Sequence, residues 1–101
     1  MKSDCLFCKL SHDPDTVIWE NDSFAAIKDI HPKARLHLLV MPKEHIDNLD
    51  AISPEAAGRL VAAIQEVAKD QQVSGRYKVR FSVGRQAGQE IDHLHAHLLA
   101  D

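Results

Sequence analysis

Three histidines near the end of the chain, His93, His95 and His97, alternate strictly with apolar residues. In an extended segment, side chains at i, i+2 and i+4 face the same way, so the imidazoles line one face while Leu94, Ala96 and Leu98 point into a core. Same-face neighbours in a strand lie about 7 Å apart and the outer pair about 13 Å, too far for one metal ion to hold all three. A free imidazole titrates near pH ~6.5, so each ring is mostly neutral and nucleophilic near neutrality, whereas three adjacent cations would repel. The row therefore implies divided labour, with the middle ring, His95, as the candidate nucleophile. Such a nucleophile needs one nitrogen aimed at the reacting atom and the other hydrogen-bonded to fix the tautomer.

A second group sits at the start of the chain. Cys5 and Cys8 are the only cysteines, and a Cys-x-x-Cys pair supplies half of a tetrahedral zinc site. The remaining ligands must come from other residues, histidine being the natural choice; a free dithiol or redox pair is the alternative, although no thioredoxin-like context surrounds it.

The elements that must position these groups are legible in outline. Cys5 to Leu10 reads as a short helical turn, broken at His12-Asp13-Pro14-Asp15. Thr16 to Trp19 and Ser23 to Ile27 read as strands joined in a hairpin across Asn21-Asp22. Leu36 to Val40 is a third strand, ended by Pro42. Ser53 is a helix N-cap with Pro54 at the first helical position. That helix should run to about Gln71 with Leu60, Ile64 and Val67 on one face, ended by the turn at Ser74-Gly75. Tyr77 to Val83 and Ile91 to Leu99 complete the strands, linked by a loop from Gly84 to Gly88. Strands, one long helix, then strands again predict a single α+β domain over residues 1–101, with the helix on one face of an antiparallel sheet.

Composition narrows the function classes. With 45% hydrophobic and 27% charged residues the chain has an ordinary globular balance. A formal charge of −3 provides no basic footprint for nucleic acid or an anionic membrane. No apolar run approaches the roughly 18 residues of a membrane span, and no signal-peptide pattern is visible, so the expected compartment is the cytoplasm.

Several segments, in order, resemble the histidine triad (HIT) family. They are Cys5-Leu6-Phe7-Cys8, the stretch from Asp29-Ile30-His31-Pro32 through His37 to Pro42-Lys43, Gly88-Gln89-Glu90-Ile91, and His93 to His97 with two apolar residues after it. The resemblance implies a HIT-like fold in which His95 attacks the α-phosphorus of a nucleotide, giving a nucleotidyl-histidine that water hydrolyses. It implies that His97 and His37 donate hydrogen bonds to phosphate oxygens, and that Ser82, Gly88 and Gln89 lie near the phosphate. Asp29 and Ile30 match positions facing the ribose and the base edge, with Phe24 and Ile27 as further walls of the base pocket. Likeness to zinc-bearing members points to a structural zinc on Cys5, Cys8, His45 and His93. Family members commonly form homodimers through the long helix and an edge strand. The branch most resembled cleaves nucleoside 5′-phosphoramidates such as AMP linked to an amine. Diadenosine polyphosphate hydrolysis, a catalytic zinc shared by His93 and His95, and a non-catalytic nucleotide-binding role are the competing expectations. His12 and His31 read as surface histidines.

The chain departs from the family pattern at three places. Ser82 stands where relatives often carry an asparagine, Glu90 stands where some carry a serine, and the sequence stops at Asp101 where relatives usually continue with a Gly-rich tail. The resemblance therefore carries no leaving-group selectivity.

Overall fold

In the computed structural model, which describes Lys2 and residues 4–101, five antiparallel strands form one sheet. They are β1 (Trp19–Glu20), β2 (Phe24–Lys28), β3 (Leu36–Pro42), β4 (Lys78–Arg80) and β5 (Ala96–Ala100), in the order β1-β2-β3-β5-β4. Helix α1 covers Leu6–Leu10 and helix α2 covers Pro54–Asp70. The α+β class and the single long helix are as the sequence predicts.

Strand periodicity divides the sheet into two chemically distinct faces. Phe24 and Ala26 of β2, Leu38 and Val40 of β3, and Ala96, Leu98 and Ala100 of β5 join Leu60, Ala63, Ile64, Val67 and Ala68 of α2 in the larger core. Ile27, Leu39 and Met41 turn the other way and pack against Cys5, Phe7 and Cys8. Because both faces of β2 and β3 are covered, these strands are almost continuously buried and read as unbroken apolar runs. This alternation corrects one expectation. Phe24 lies against α2 on the opposite face from Ile27 and cannot wall the same pocket.

Helix α2 is capped at both ends. Ser53 Oγ accepts from the Ala56 N–H at 3.2 Å, with Pro54 opening the helix. At the other end Gln72 N–H donates to Lys69 O and Val73 N–H to Ala68 O, the Schellman arrangement, with Gln72 at φ 62°. The helix thus ends at Gln71, as expected, with the left-handed Gln72 as the stop in place of the Ser74-Gly75 turn.

Three strands are shorter than predicted, each for a visible reason. Thr16 and Val17 are held in a turn on Asp13, whose carboxylate accepts from Thr16 Oγ1 and whose carbonyl accepts from both amides. Asp13 thereby delays β1 to Trp19. In the last strand, Val40 pairs with Ala96, so the next ladder position falls at Pro42, which has no N–H to give. Residues 91–95 leave the ladder there: His93 N–H turns back to Ile91 O, and Leu94 N–H reaches Ile46 O at 2.7 Å. Strand β4 pairs only with His97 to Leu99, and its remaining residues are spent in the loop that leads to a 3-10 turn at Arg85–Ala87.

A non-glycine residue in the left-handed region costs about 1 kcal/mol relative to glycine. Gln72→Gly is therefore expected to raise stability by about 0.5–1 kcal/mol, seen as a higher urea midpoint with an unchanged slope. An unchanged or lower midpoint would show that Gln72 is unstrained there.

Candidate active site and metal centre

Two clusters of side chains meet on the sheet face opposite α2. The first joins both chain ends. Cys5 Sγ lies 3.4 Å from His93 Nδ1, and Cys8 Sγ lies 3.5 Å from His93 Nδ1 and 3.3 Å from His45 Nδ1. All four ligand atoms are within 4.8 Å of one another. Bonds of about 2.3 Å to sulfur and 2.0 Å to nitrogen at tetrahedral angles separate ligand atoms by about 3.5 Å, so the spacing fits a four-coordinate metal ion. The tautomers fit as well. His93 Nε2–H donates to Pro42 O at 2.8 Å and His45 Nε2–H to Asp47 Oδ1 at 2.8 Å, which leaves each Nδ1 lone pair facing the sulfurs. Burial, the largest effect, pushes the Cys5 thiol above its ordinary value, against the downward pull of the Cys8 backbone N–H. A bound cation would reverse that balance, since coordinating thiols are deprotonated.

The second cluster lines a cleft of about 280 Å³ beside it, at the lower end of the range for small-molecule sites. His95 and His97 form one wall. His95 is 8% exposed and donates from Nδ1 to the His93 carbonyl at 2.7 Å. Its Nε2 must then carry the lone pair and is free to attack. His37 shows the complementary logic. Its Nδ1 accepts from the Lys33 N–H at 3.0 Å, so Nε2 carries the proton and donates to His97 Nδ1 at 2.9 Å. That donation in turn puts the remaining proton of His97 on Nε2. Two adjacent imidazoles thus hold opposite tautomers, His95 offering a lone pair and His97 a donor. These assignments follow from the hydrogen-bond network.

Burial is the largest influence on His37, His93 and His95, lowering each. It also leads for His97, with help from the charges of His95, Arg80 and His37, and takes that ring from 6.5 to about 4. Asp29 Oδ2, 3.4 Å from His37 Nε2 and 4.0 Å from His97 Nδ1, pulls both rings upward and is outweighed. The four rings are neutral near pH 7, as a nucleophile-and-donor arrangement requires.

The structure sorts the remaining expected residues. Asp29, Ile30 and Gly88 line the cleft together with Ile27. Asp29 Oδ1 also accepts from the His31 N–H at 2.8 Å, shaping the turn after β2. Ile30 is 86% exposed, so it sits at the rim. Ser82 is half-buried beside Gly88 and outside the cleft wall. Gln89 is a strut: it is 3% exposed, its Oε1 accepts from Gly84 N–H, and its Nε2 donates to the Asp47 and Ile91 carbonyls. That leaves its amide no free donor for a phosphate. His37 likewise spends its donor on His97. His12 and His31 are exposed, as expected, although His31 reaches the cleft rim and His12 Nδ1 bonds the Cys8 carbonyl. His93 and His95 do not converge on one point, since the first faces sulfurs and the second faces a carbonyl.

Two contributors escaped the sequence reading. Phe7 stands edge-on to His95, ring centroids 5.0 Å apart at 83°, and packs against that ring; nothing in its sequence position signals this contact. Arg80 enters the cleft from β4, and only strand register reveals that.

The fold and these clusters have the arrangement of a histidine triad site. The HIT domain profile matches residues 11–101, and the chain belongs to the HIT family. It is 35% identical over 100 residues to Protein HitA of Neisseria gonorrhoeae, covering 94% of both chains. It is 40% identical over 88 residues to an uncharacterized HIT-like protein of Helicobacter pylori, covering 86% of this chain and 85% of that one. Its structure superimposes on a HIT family hydrolase from Clostridium thermocellum with TM-score 0.87 and 36% identity, over 100% of this chain and 93% of the other. A histidine triad protein from Clostridium difficile gives TM-score 0.89 and 34% identity, with the same coverage. No described helix is long and apolar enough to cross a membrane.

The depressed imidazoles set a sign for acid stability. An unfolded histidine takes up its proton as pH falls through about 6.5, while His97 in the fold resists until about 4. The unfolded state binds more protons across that window, so stability falls as pH drops from about 6.5 to 4. The urea midpoint should decline between pH 7 and 5, and His97→Gln should flatten part of that decline; an identical slope in the variant would contradict a neutral, buried His97.

Proposed function

We propose that this protein is a nucleotide hydrolase or transferase that cleaves nucleoside 5′-phosphoramidates, AMP joined to an amine being the type substrate. The observation that carries the reading is the pair of opposite tautomers at His95 and His97. In the first step His95 Nε2 attacks the α-phosphorus, a nitrogen–phosphorus bond forms, and the bond to the amine breaks. The amine leaves with the electron pair and takes a proton from solvent. The His93 carbonyl, already bonded to His95 Nδ1–H, stabilises the positive charge that then develops on the ring. In the second step water attacks phosphorus, gives up a proton, and the His95 lone pair is restored with AMP released.

His97 Nε2–H is the donor for a non-bridging phosphate oxygen as charge builds in the transition state, a contact typically worth a few kcal/mol. His37 acts as a positioning residue that sets the His97 tautomer, and Gln89 holds the 84–88 loop against the metal-side segment. Gly88, at φ 99°, has no side chain to keep a phosphate from the backbone, while its own N–H donates to Arg85 O. Asp29 accepts from the ribose hydroxyls, and Ile27 and Ile30 flank a purine. The same α-phosphorus chemistry would serve dinucleoside polyphosphates. A homodimer belongs to this reading, with Val61 of α2 and Val79 of β4 as exposed apolar residues it would cover.

For the four-ligand cluster we favour zinc, because a closed Cys2His2 set suits that ion and leaves no position open to substrate. Its role is then structural. Elemental analysis should find one zinc per chain, and chelation or Cys8→Ala should lower Tm by roughly 10 °C or more. Another metal, or chelation without loss of stability, would overturn this assignment.

Brief mixing with adenosine 5′-phosphoramidate should add the mass of one AMP to the intact protein, and His95→Ala should show no adduct and at least about a thousandfold lower turnover. Tight AMP binding with neither adduct nor product would leave a nucleotide-binding protein in place of an enzyme.

A further inference from the structure

We propose that Arg80 is the residue that discriminates among leaving groups beyond the α-phosphorus, favouring an anionic one, a phosphate or a carboxylate, over an amine. This rests on the reading of His95 as the group that attacks the α-phosphorus.

One row of the sheet crosses the cleft from β2 to β4. Ile27 on β2 pairs with Leu39 on β3, Leu39 with His97 on β5, and His97 with Arg80 on β4. All four line the cleft, so its floor runs in register from apolar side chains, through the phosphate donor, to a guanidinium. Directly paired residues are about 5 Å apart across an antiparallel ladder. A nucleotide with its base over Ile27 and Leu39 and its α-phosphate at the histidines must project whatever follows toward β4.

Arg80 is unclaimed by the fold. It makes no ion pair or side-chain hydrogen bond among the described residues, whereas Arg85 pairs with Asp92 and Lys43 with Glu20. Its charge is already felt by His37, His95 and His97. The cleft also holds the carboxylates Asp29 and Glu90. Lys28 on β2 and Lys33 line the cleft as well, and of its charged residues Arg80 is the one on β4, paired in register with His97.

Chemistry separates the leaving groups. When His95 displaces a phosphate, the phosphorus–oxygen bond breaks, the electron pair stays on the departing oxygen, and the anion leaves without a proton. A guanidinium stabilises that charge bidentately. A leaving amine needs a proton, which arginine does not give up.

The test compares diadenosine triphosphate with adenosine 5′-phosphoramidate in wild type, Arg80→Ala and Arg80→Lys. Arg80→Ala should lower kcat/KM for the polyphosphate at least tenfold more than for the phosphoramidate, with Arg80→Lys recovering part of the difference. Equal losses on both substrates, or no loss on either, would overturn the proposal. Should wild type turn over neither substrate, the α-phosphorus reading itself fails, and Arg80 is judged by binding. In His95→Ala protein, ADP should bind more tightly than AMP by calorimetry, and adding Arg80→Ala should erase the difference. Equal affinities before that change would overturn it.

Discussion

The imidazole of His93 sits between two sulfurs on one side and a backbone carbonyl on the other, and three parts of the chain meet at it. Cys5 and Cys8 bring the α1 segment, Pro42 brings the end of β3, and His93 itself brings the approach to β5. A buried ring with both nitrogens engaged has one orientation available, and the ring is fully buried. Its carbonyl then fixes His95 through the Nδ1 bond. His95 is thus oriented by a residue two positions away. Packing α1 over this junction also delivers Phe7 to the edge of His95, so one metal-type cluster closes the small second core and orients the His95 ring.

The sheet supplies what local contacts cannot. Its α2 face is an ordinary apolar core that holds the strands flat against one helix. Its other face is covered only in part, by α1, and the uncovered remainder is the cleft. Because β3 and β5 are neighbours in register, His37 and His97 meet although 60 residues separate them. Each proton in the network has a single consistent place: Lys33 N–H forces the His37 tautomer, His37 forces that of His97, and the His93 carbonyl forces that of His95. Desolvation keeps the rings neutral against the pull of Asp29. The outcome is a lone pair and a donor side by side on two neutral rings.

Much of this was legible beforehand in the residues themselves. Alternation at His93 to His97 placed the histidines on one face and Leu94, Ala96 and Leu98 on the other, since a period of two is an intrinsic property of extended backbone. Ser53-Pro54 marked the start of α2 because capping chemistry is local. Strand lengths were not legible, because they depend on partners: Pro42 ends β5 across the ladder, and the Asp13 turn delays β1. The same period of two already separates Phe24 from Ile27, three residues apart on one strand and so on opposite faces.

The sequence by itself determined the family, the α+β order of elements, and the residue types able to act as nucleophile, donor and metal ligands, because these follow from motif, spacing and side-chain chemistry. Only the tertiary structure decided which nitrogen of each imidazole carries a proton. It alone showed that His37 and Gln89 direct their donors into the protein, and that Arg80 faces the cleft. Those properties depend on contacts between segments far apart in the chain, where burial and register set by distant partners outweigh any local preference.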